Sequence, residues 1–146
     1  MTIREMTFED LDQVMIIERE NFSVPWTEEG FFTYLLRMDA LFLVAEEADR
    51  VLGYCGVIMA ADEGDITNVS VKKDCQGRGI GSALVTELIQ RTGQAGINTL
   101  FLEVRAGNRT ALSLYEKMGF EHMGVRKGYY TNPTEDAVTM SRKYSR

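Results

Sequence analysis

The sequence predicts an α+β fold: a mixed, mostly antiparallel central sheet of about six to seven strands flanked by helices. Three observations point to it. Segments whose apolar residues recur at helical spacing share the chain with segments whose apolar residues follow strand patterns. Short polar turns join neighbouring β-prone runs, as in hairpins. One β-prone run passes through a glycine-rich loop straight into an amphipathic helix, which brings mixed strand directions into the layer.

The elements follow in order. Thr7-Phe8-Glu9-Asp10 has capping-box spacing with Asp in the last place, and Leu11, Val14 and Ile17 or Glu18 continue at helical intervals, so a first helix runs to about Asn21. Pro25 breaks the chain and Thr27 is placed to cap a second helix, with Glu28 and Glu29 in its first turn and Phe31, Phe32, Leu35 and Leu36 behind them. Leu41–Ala45 and Val51–Ala60 read as a hairpin, and Asp62-Glu63-Gly64 turns the chain into a third strand over 65–71. In that strand Val69 and Val71 lie on one parity and Ile66 on the other. The alternation slips near Thr67 and Asn68, which predicts a β-bulge there.

A helix over 82–91 follows, closed by Gly93 to Gly96. In the strand Thr99–Arg105, Leu100, Leu102 and Val104 share one face and Phe101, Glu103 and Arg105 the other. Ala111, Leu114, Tyr115 and Met118 make the stripe of a short helix ended by Gly119. The runs 120–130 and 137–144 are two last strands around the turn residues Asn132-Pro133-Thr134.

Composition narrows the function classes. The chain has 146 residues, 45% of them hydrophobic and 26% charged, enough for one folded domain over 1–146. Its start has no apolar signal region, and Val51–Ala61 is too short to span a bilayer, so a cytoplasmic protein without membrane contact is expected. A net charge of −6 argues against a nucleic-acid face and suits a basic partner. Cys55 and Cys75 lack CxxC spacing and His122 is the single histidine, so no metal site is expected. The expectation is a core thiol at Cys55, an incidental loop residue at Cys75 and a surface strand position at His122.

The chemistry-bearing segment is Gln76-Gly77-Arg78-Gly79-Ile80-Gly81, between a strand and a helix N-terminus. Glycines admit close approach of backbone N–H groups, and the free amides of a first helical turn favour an anion such as a pyrophosphate. No Gly-Lys-Ser/Thr follows, which removes a Walker A loop, and the G-x-G-x-G spacing departs from the dinucleotide fingerprint. Lys72, Lys73 and Arg78 make this the most basic stretch of an acidic chain. A plain strand-to-helix turn stays open as the alternative.

The same loop closely resembles the Q/R-x-x-G-x-G/A acetyl-CoA loop of the GNAT N-acetyltransferases, and the resemblance spans nearly the whole chain. Phe22–Trp26, Leu102-Glu103-Val104-Arg105, Asn108, Ala111–Phe120, Tyr129-Tyr130 and Glu135-Asp136-Ala137 look like the RimI type, whose members acetylate the N-terminal alanine of small-subunit ribosomal protein 18. The resemblance implies a GNAT fold and acetyl-CoA as co-substrate. It also implies that Val69, Ser70 and Val71 bind the pantetheine arm through their backbone. Gln76, Gly77, Arg78, Gly79, Ile80, Gly81 and Ser82 would hold the pyrophosphate, and Asn108 would be a further contact. Glu103 matches the general base and Tyr115 the general acid, while Tyr129 and Tyr130 could line the peptide entrance. From the residues alone, Tyr115 reads first as core packing and Glu103 first as a solvated strand carboxylate, while the tyrosine pair reads equally as strand filler.

The acceptor can be weighed by its proton. An α-amine of pKa about 7.7 to 8.0 costs roughly 1 kcal/mol to neutralise at pH 7, whereas lysine near 10.4 costs roughly 4.6 kcal/mol. A carboxylate base suits the first better. The expulsion of the CoA thiolate would take a proton from Tyr115, and an N–H of the bulged strand, at Val71, would stabilise the oxyanion. The expected activity is therefore acetyl transfer to the basic N-terminal tail of a ribosomal protein by direct attack in a ternary complex. A lysine or small-amine acceptor, or a CoA-binding regulator without turnover, are the alternatives.

Overall fold

Leu41 to Ala45 are apolar at every position because the strand that carries them is covered on both faces in the computed structural model, which describes residues 1–145. The strands are β1 (Thr2–Glu5), β2 (Ala40–Glu47), β3 (Arg50–Ala60), β4 (Glu63–Val71), β5 (Thr99–Arg105), β6 (Glu121–Tyr130) and β7 (Glu135–Lys143). The helices are α1 (Leu11–Asn21), α2 (Glu28–Leu35), α3 (Ile80–Gln94) and α4 (Arg109–Lys117). All seven strands join one sheet in the order β1-β2-β3-β4-β5-β7-β6. Every neighbouring pair is antiparallel except β4 and β5.

The two faces have separate cores. Phe42 and Val44 join Leu11, Val14, Met15, Ile17 and Phe31 on the side of α1 and α2. Leu43 and Ala45 join Ile80, Leu84, Val85 and Leu88 of α3, together with Leu100, Leu102, Val104 and Met140, on the other. Gly56 lets the Phe42 ring lie against the neighbouring strand, since a Cβ at that position would sit 2.2 Å from the ring.

The expected elements are present with shifted ends, and three details differ. β1 is additional: Thr2–Glu5 shows little alternation, and it becomes a strand by pairing with β2. Gly93 lies inside α3, and Gly96, with φ +89°, follows its end. Cys75 lies in the loop between β4 and α3 as expected, but it is buried in the core and not incidental, while Cys55 is a core thiol and both cysteines are free. Thr27 caps α2 by accepting from the Gly30 N–H at 3.0 Å. His122 is exposed on β6, 3.1 Å from Glu116. Among the described residues no helix is long and apolar enough to cross a membrane.

Candidate active site

The site begins with a failure of strand pairing. β4 and β5 are hydrogen-bonded partners only where Glu63–Asp65 meets Thr99–Phe101, and beyond Asp65 they part. The bulge expected from the parity slip lies at the parting. Gly56 pairs with Asn68 but Val57 with Ile66, which leaves Thr67 as the extra residue on β4. The wedge between the strands widens into a cavity of about 520 Å³, lined by Ile66 to Val69 from β4, Leu102 to Arg105 from β5, and side chains from four other segments.

Both residues matched to acid–base chemistry face this cavity. Glu103 projects from β5 with its side chain 34% exposed, and its Oε1 lies 3.7 Å from Arg126 Nη2. An ion pair that open to solvent contributes little to stability and leaves the carboxylate accessible. Tyr115 comes from α4, is 7% exposed, and packs edge-on to Phe120 at 5.6 Å. Its ring is therefore core, as the stripe suggested, while its hydroxyl has no hydrogen-bond partner among the described residues and is left to the cavity. Burial pushes the phenol well above its ordinary range, with Cys55 and Tyr130 adding to the shift. Tyr115 thus keeps its proton at neutral pH and can only donate it. Cys55 is no competing nucleophile, because burial pushes its thiol up to about 12.

The glycine loop follows β4 at the end that has parted from β5. Gly77 and Gly79 have φ of +82° and +80°, and Gly79 caps α3 in a left-handed conformation. A Cβ at either would meet nothing within 4 Å, so the backbone conformation requires glycine and the surface above it is clear. That open main chain at the start of a 15-residue helix fits a diphosphate. Not every side chain here faces outward. Ile80 is a core residue, so it can offer only its backbone. Ser70 is buried and its Oγ accepts from Asn21 Nδ2 at 2.6 Å, and Val71 O accepts from the same nitrogen at 2.8 Å and from Gln76 Nε2 at 3.2 Å. Arg78 is pulled 3.0 Å from Glu47, a pair that a stronger anion could displace. Gly81 packs near Leu114 and Val71, and Ser82 is half-buried in the first turn of α3.

The opposite wall is aromatic. Tyr129 and Tyr130 stand edge to face at 5.1 Å on the cavity rim. Burial pushes the Tyr130 phenol up to about 12, with the nearby Glu103 carboxylate adding to the shift. Arg105 lies over the Tyr130 ring at 4.5 Å and donates to Thr131 O at 2.9 Å, Pro133 O at 3.0 Å and Glu135 Oε1 at 3.2 Å, which pins the β6–β7 turn. Phe22, Val24 and Trp26, between α1 and α2, face them. Asn108 lines the same cavity, but its Oδ1 is engaged as the cap of α4, accepting from Ala111 N–H at 3.1 Å.

Among the polar residues lining this cavity that sequence reasoning did not assign to the site are Glu18, Asn21 and Asn68. Glu18 did leave a signal. It falls on the buried stripe of α1 with Leu11 and Val14, and a carboxylate on an apolar stripe calls for a partner.

The chain matches the acetyltransferase (GNAT) family over residues 11–120. It is 36% identical to the [ribosomal protein bS18]-alanine N-acetyltransferase of Salmonella typhimurium, over 96% of this chain and 95% of that protein. The crystal structure of the ribosomal-protein-S18-alanine N-acetyltransferase from Escherichia coli superposes with a TM-score of 0.92 at 32% identity, covering 99% of this chain and 94% of the other. Ard1 from Thermoplasma volcanium superposes with a TM-score of 0.91 at 25% identity, over 99% and 98% of the two chains.

Proposed function

We propose that this chain, which belongs to the acetyltransferase (GNAT) family, acetylates the N-terminal α-amine of a ribosomal protein and reads alanine as its first residue. It is an acetyl-CoA-dependent N-acetyltransferase. The observation that carries the finer reading is the meeting of Glu103 and the proton-bearing Tyr115 in one cavity, which Tyr129, Tyr130 and Trp26 also line. The named activity of the relatives supports the same acceptor.

Each residue then has a task. The backbone from Gly77 to Ser82 holds the diphosphate, and Arg78 is free to exchange Glu47 for it. The edge of β4 from Val69 to Val71, which β5 does not pair, takes the pantetheine arm, and the N–H of Val71 is a candidate for the oxyanion. Glu103 accepts the proton of the incoming ammonium, directly or through water, so the neutral nitrogen can attack the acetyl carbon. The C–S bond breaks, Tyr115 gives its proton to the departing sulfur, and the second proton that the nitrogen loses on becoming the amide restores the phenol. No covalent enzyme intermediate is needed, and the wedge contributes by holding both partners together.

Charge supports a basic substrate tail. Residues 1–36 hold eight Asp and Glu against Arg4 and Arg19, so the whole net charge of −6 resides in the part of the chain that builds one side of the entrance. Such a field steers a cationic peptide toward the cavity.

The test is a panel of short basic peptides that differ in their first residue, followed by mass spectrometry of the modified position. An Ala-initiated peptide should be acetylated at its α-amine, and the N-blocked, lysine-containing version should not. Comparable acetylation of the blocked peptide would refute the α-amine assignment.

A further inference from the structure

We propose that Glu18 is a positioning residue that ties the entrance segment at Trp26 to the bulged part of β4 at Asn68, keeping the acceptor in register with the strand that holds the donor. The proposal rests on the cavity being the acetyl-transfer site. Glu18 is 2% exposed, and the chemistry assigned to Glu103 and Tyr115 makes no use of it. A buried carboxylate is costly, and an apolar side chain of its size would pack the α1 stripe at least as well. Its partners show what it links. Oε2 accepts from the Trp26 N–H at 2.8 Å, and Oε1 accepts from the Tyr54 hydroxyl and, at 3.4 Å, from Asn68 Nδ2. Tyr54 is fully buried between the sheet and α1. One carboxylate therefore bonds the core, the entrance and the bulge.

The neighbouring residues of α1 show that the helix end is built to hold β4. Asn21 donates to Ser70 Oγ at 2.6 Å and Val71 O at 2.8 Å, and Glu20 accepts from the Lys73 N–H at 2.7 Å. These bonds run along the chain from the bulge toward the glycine loop. Of the three residues, Glu18 also reaches the entrance. Displacing Trp26 relative to Asn68 would move the acceptor nitrogen with respect to the acetyl carbon, a geometry on which the rate depends steeply.

Trp26 is the single tryptophan of the chain, so its fluorescence reports on the entrance alone. Glu18→Gln keeps the size and removes acceptor capacity. A second variant, Glu18→Met with Tyr54→Phe, replaces the buried charge and its hydroxyl partner by apolar groups, a change that folded proteins commonly tolerate. Acrylamide quenching of Trp26 should increase in both. The KM for the acceptor should rise about tenfold while that for acetyl-CoA stays within about twofold of wild type. Leu88→Ala, in the α3 core, should lower the melting temperature without either change. Quenching and acceptor KM at wild-type values, or the two KM values rising in parallel, would overturn the proposal. Kinetics are read on whichever amine the wild-type enzyme accepts. A wrong acceptor assignment would thus appear in that choice and not in the comparison between variants.

Discussion

On the proposed assignment, Gln76 to Ser82 would make the donor end of the site from seven consecutive residues, whereas the acceptor end would be gathered from α1, Trp26, the β4 bulge, β5 and the β6–β7 turn. The loop would act through its main chain. Gly77 and Gly79 take positive φ, and Gln76, Gly77, Arg78 and Gly79 are exposed. The proposed acceptor side would act through side chains held by hydrogen bonds: Arg105 under the turn, Glu18 behind Trp26, Asn68 on the bulge. A diphosphate is the same in every reaction of its kind, and a local backbone conformation suffices to bind it. An acceptor must be discriminated, and discrimination needs shaped, polar and separately adjustable walls. The two ends should therefore respond independently to substitution.

The largest effects are expected where the ends meet. Glu103→Gln should lower kcat about 10²–10⁴-fold with little change in melting temperature, because the carboxylate is partly exposed and its ion pair is weak. Tyr115→Phe keeps the ring against Phe120 and removes only the donor, so a loss of about a hundredfold with an unchanged fold is expected. The pH profile separates the two. Burial disfavours the phenolate, so Tyr115 remains a loaded acid above its ordinary value of about 10, and wild-type kcat should not fall on the alkaline side below that pH. An alkaline limb near neutrality that disappears in Tyr115→Phe would contradict this.

A middle-sized effect should stay on the donor side. Gly79→Ala meets no neighbour within 4 Å, so its whole cost is the positive φ, about 1–2 kcal/mol for an L residue. Relaxing that strain reaims the first amides of α3. The KM for acetyl-CoA should rise about tenfold and the acceptor KM should stay put, measured by initial rates with each substrate varied in turn.

How much of this could be read from the chain follows the same division. The glycine loop stood out because its residues are contiguous, and its link to acetyl-CoA came from the family resemblance and not from the glycine spacing itself. The bulge was legible too, because a period-two pattern that changes parity between Ile66 and Val69 has few physical explanations. From its helical stripe Tyr115 was legible as core, and its match to the general acid came from the resemblance; the structure puts its ring in the core and leaves its hydroxyl to the cavity. Asn108 was matched to a coenzyme contact, and its cap of α4 depends on a backbone conformation that a family motif does not display. β1 escaped notice because four residues carry little periodicity, and their pairing with β2 spans some forty residues. Glu18 stood on an apolar stripe in plain view, yet its partners at Trp26, Tyr54 and Asn68 come together only when the sheet has formed.

The smallest predicted effect belongs to the acceptor side and tests whether the rim is held as well as shaped. Arg105 places one planar guanidinium against three acceptors and one ring, with its side chain 29% exposed. Arg105→Lys retains the charge but offers a point donor in place of a fork, so it can satisfy one or two of these partners at a time and loses the stacking on Tyr130. The turn carries Tyr130 over the cavity, and letting it move should cost acceptor binding and little else. The expected result is an acceptor KM raised about three- to fivefold, with kcat, the acetyl-CoA KM and the melting temperature near wild type, since a surface cation–π contact is worth about 0.5–1 kcal/mol. A shift in the acetyl-CoA KM of the same size would show that the two ends of the wedge are coupled through β5, and the division drawn here would have to be replaced by a single continuous site.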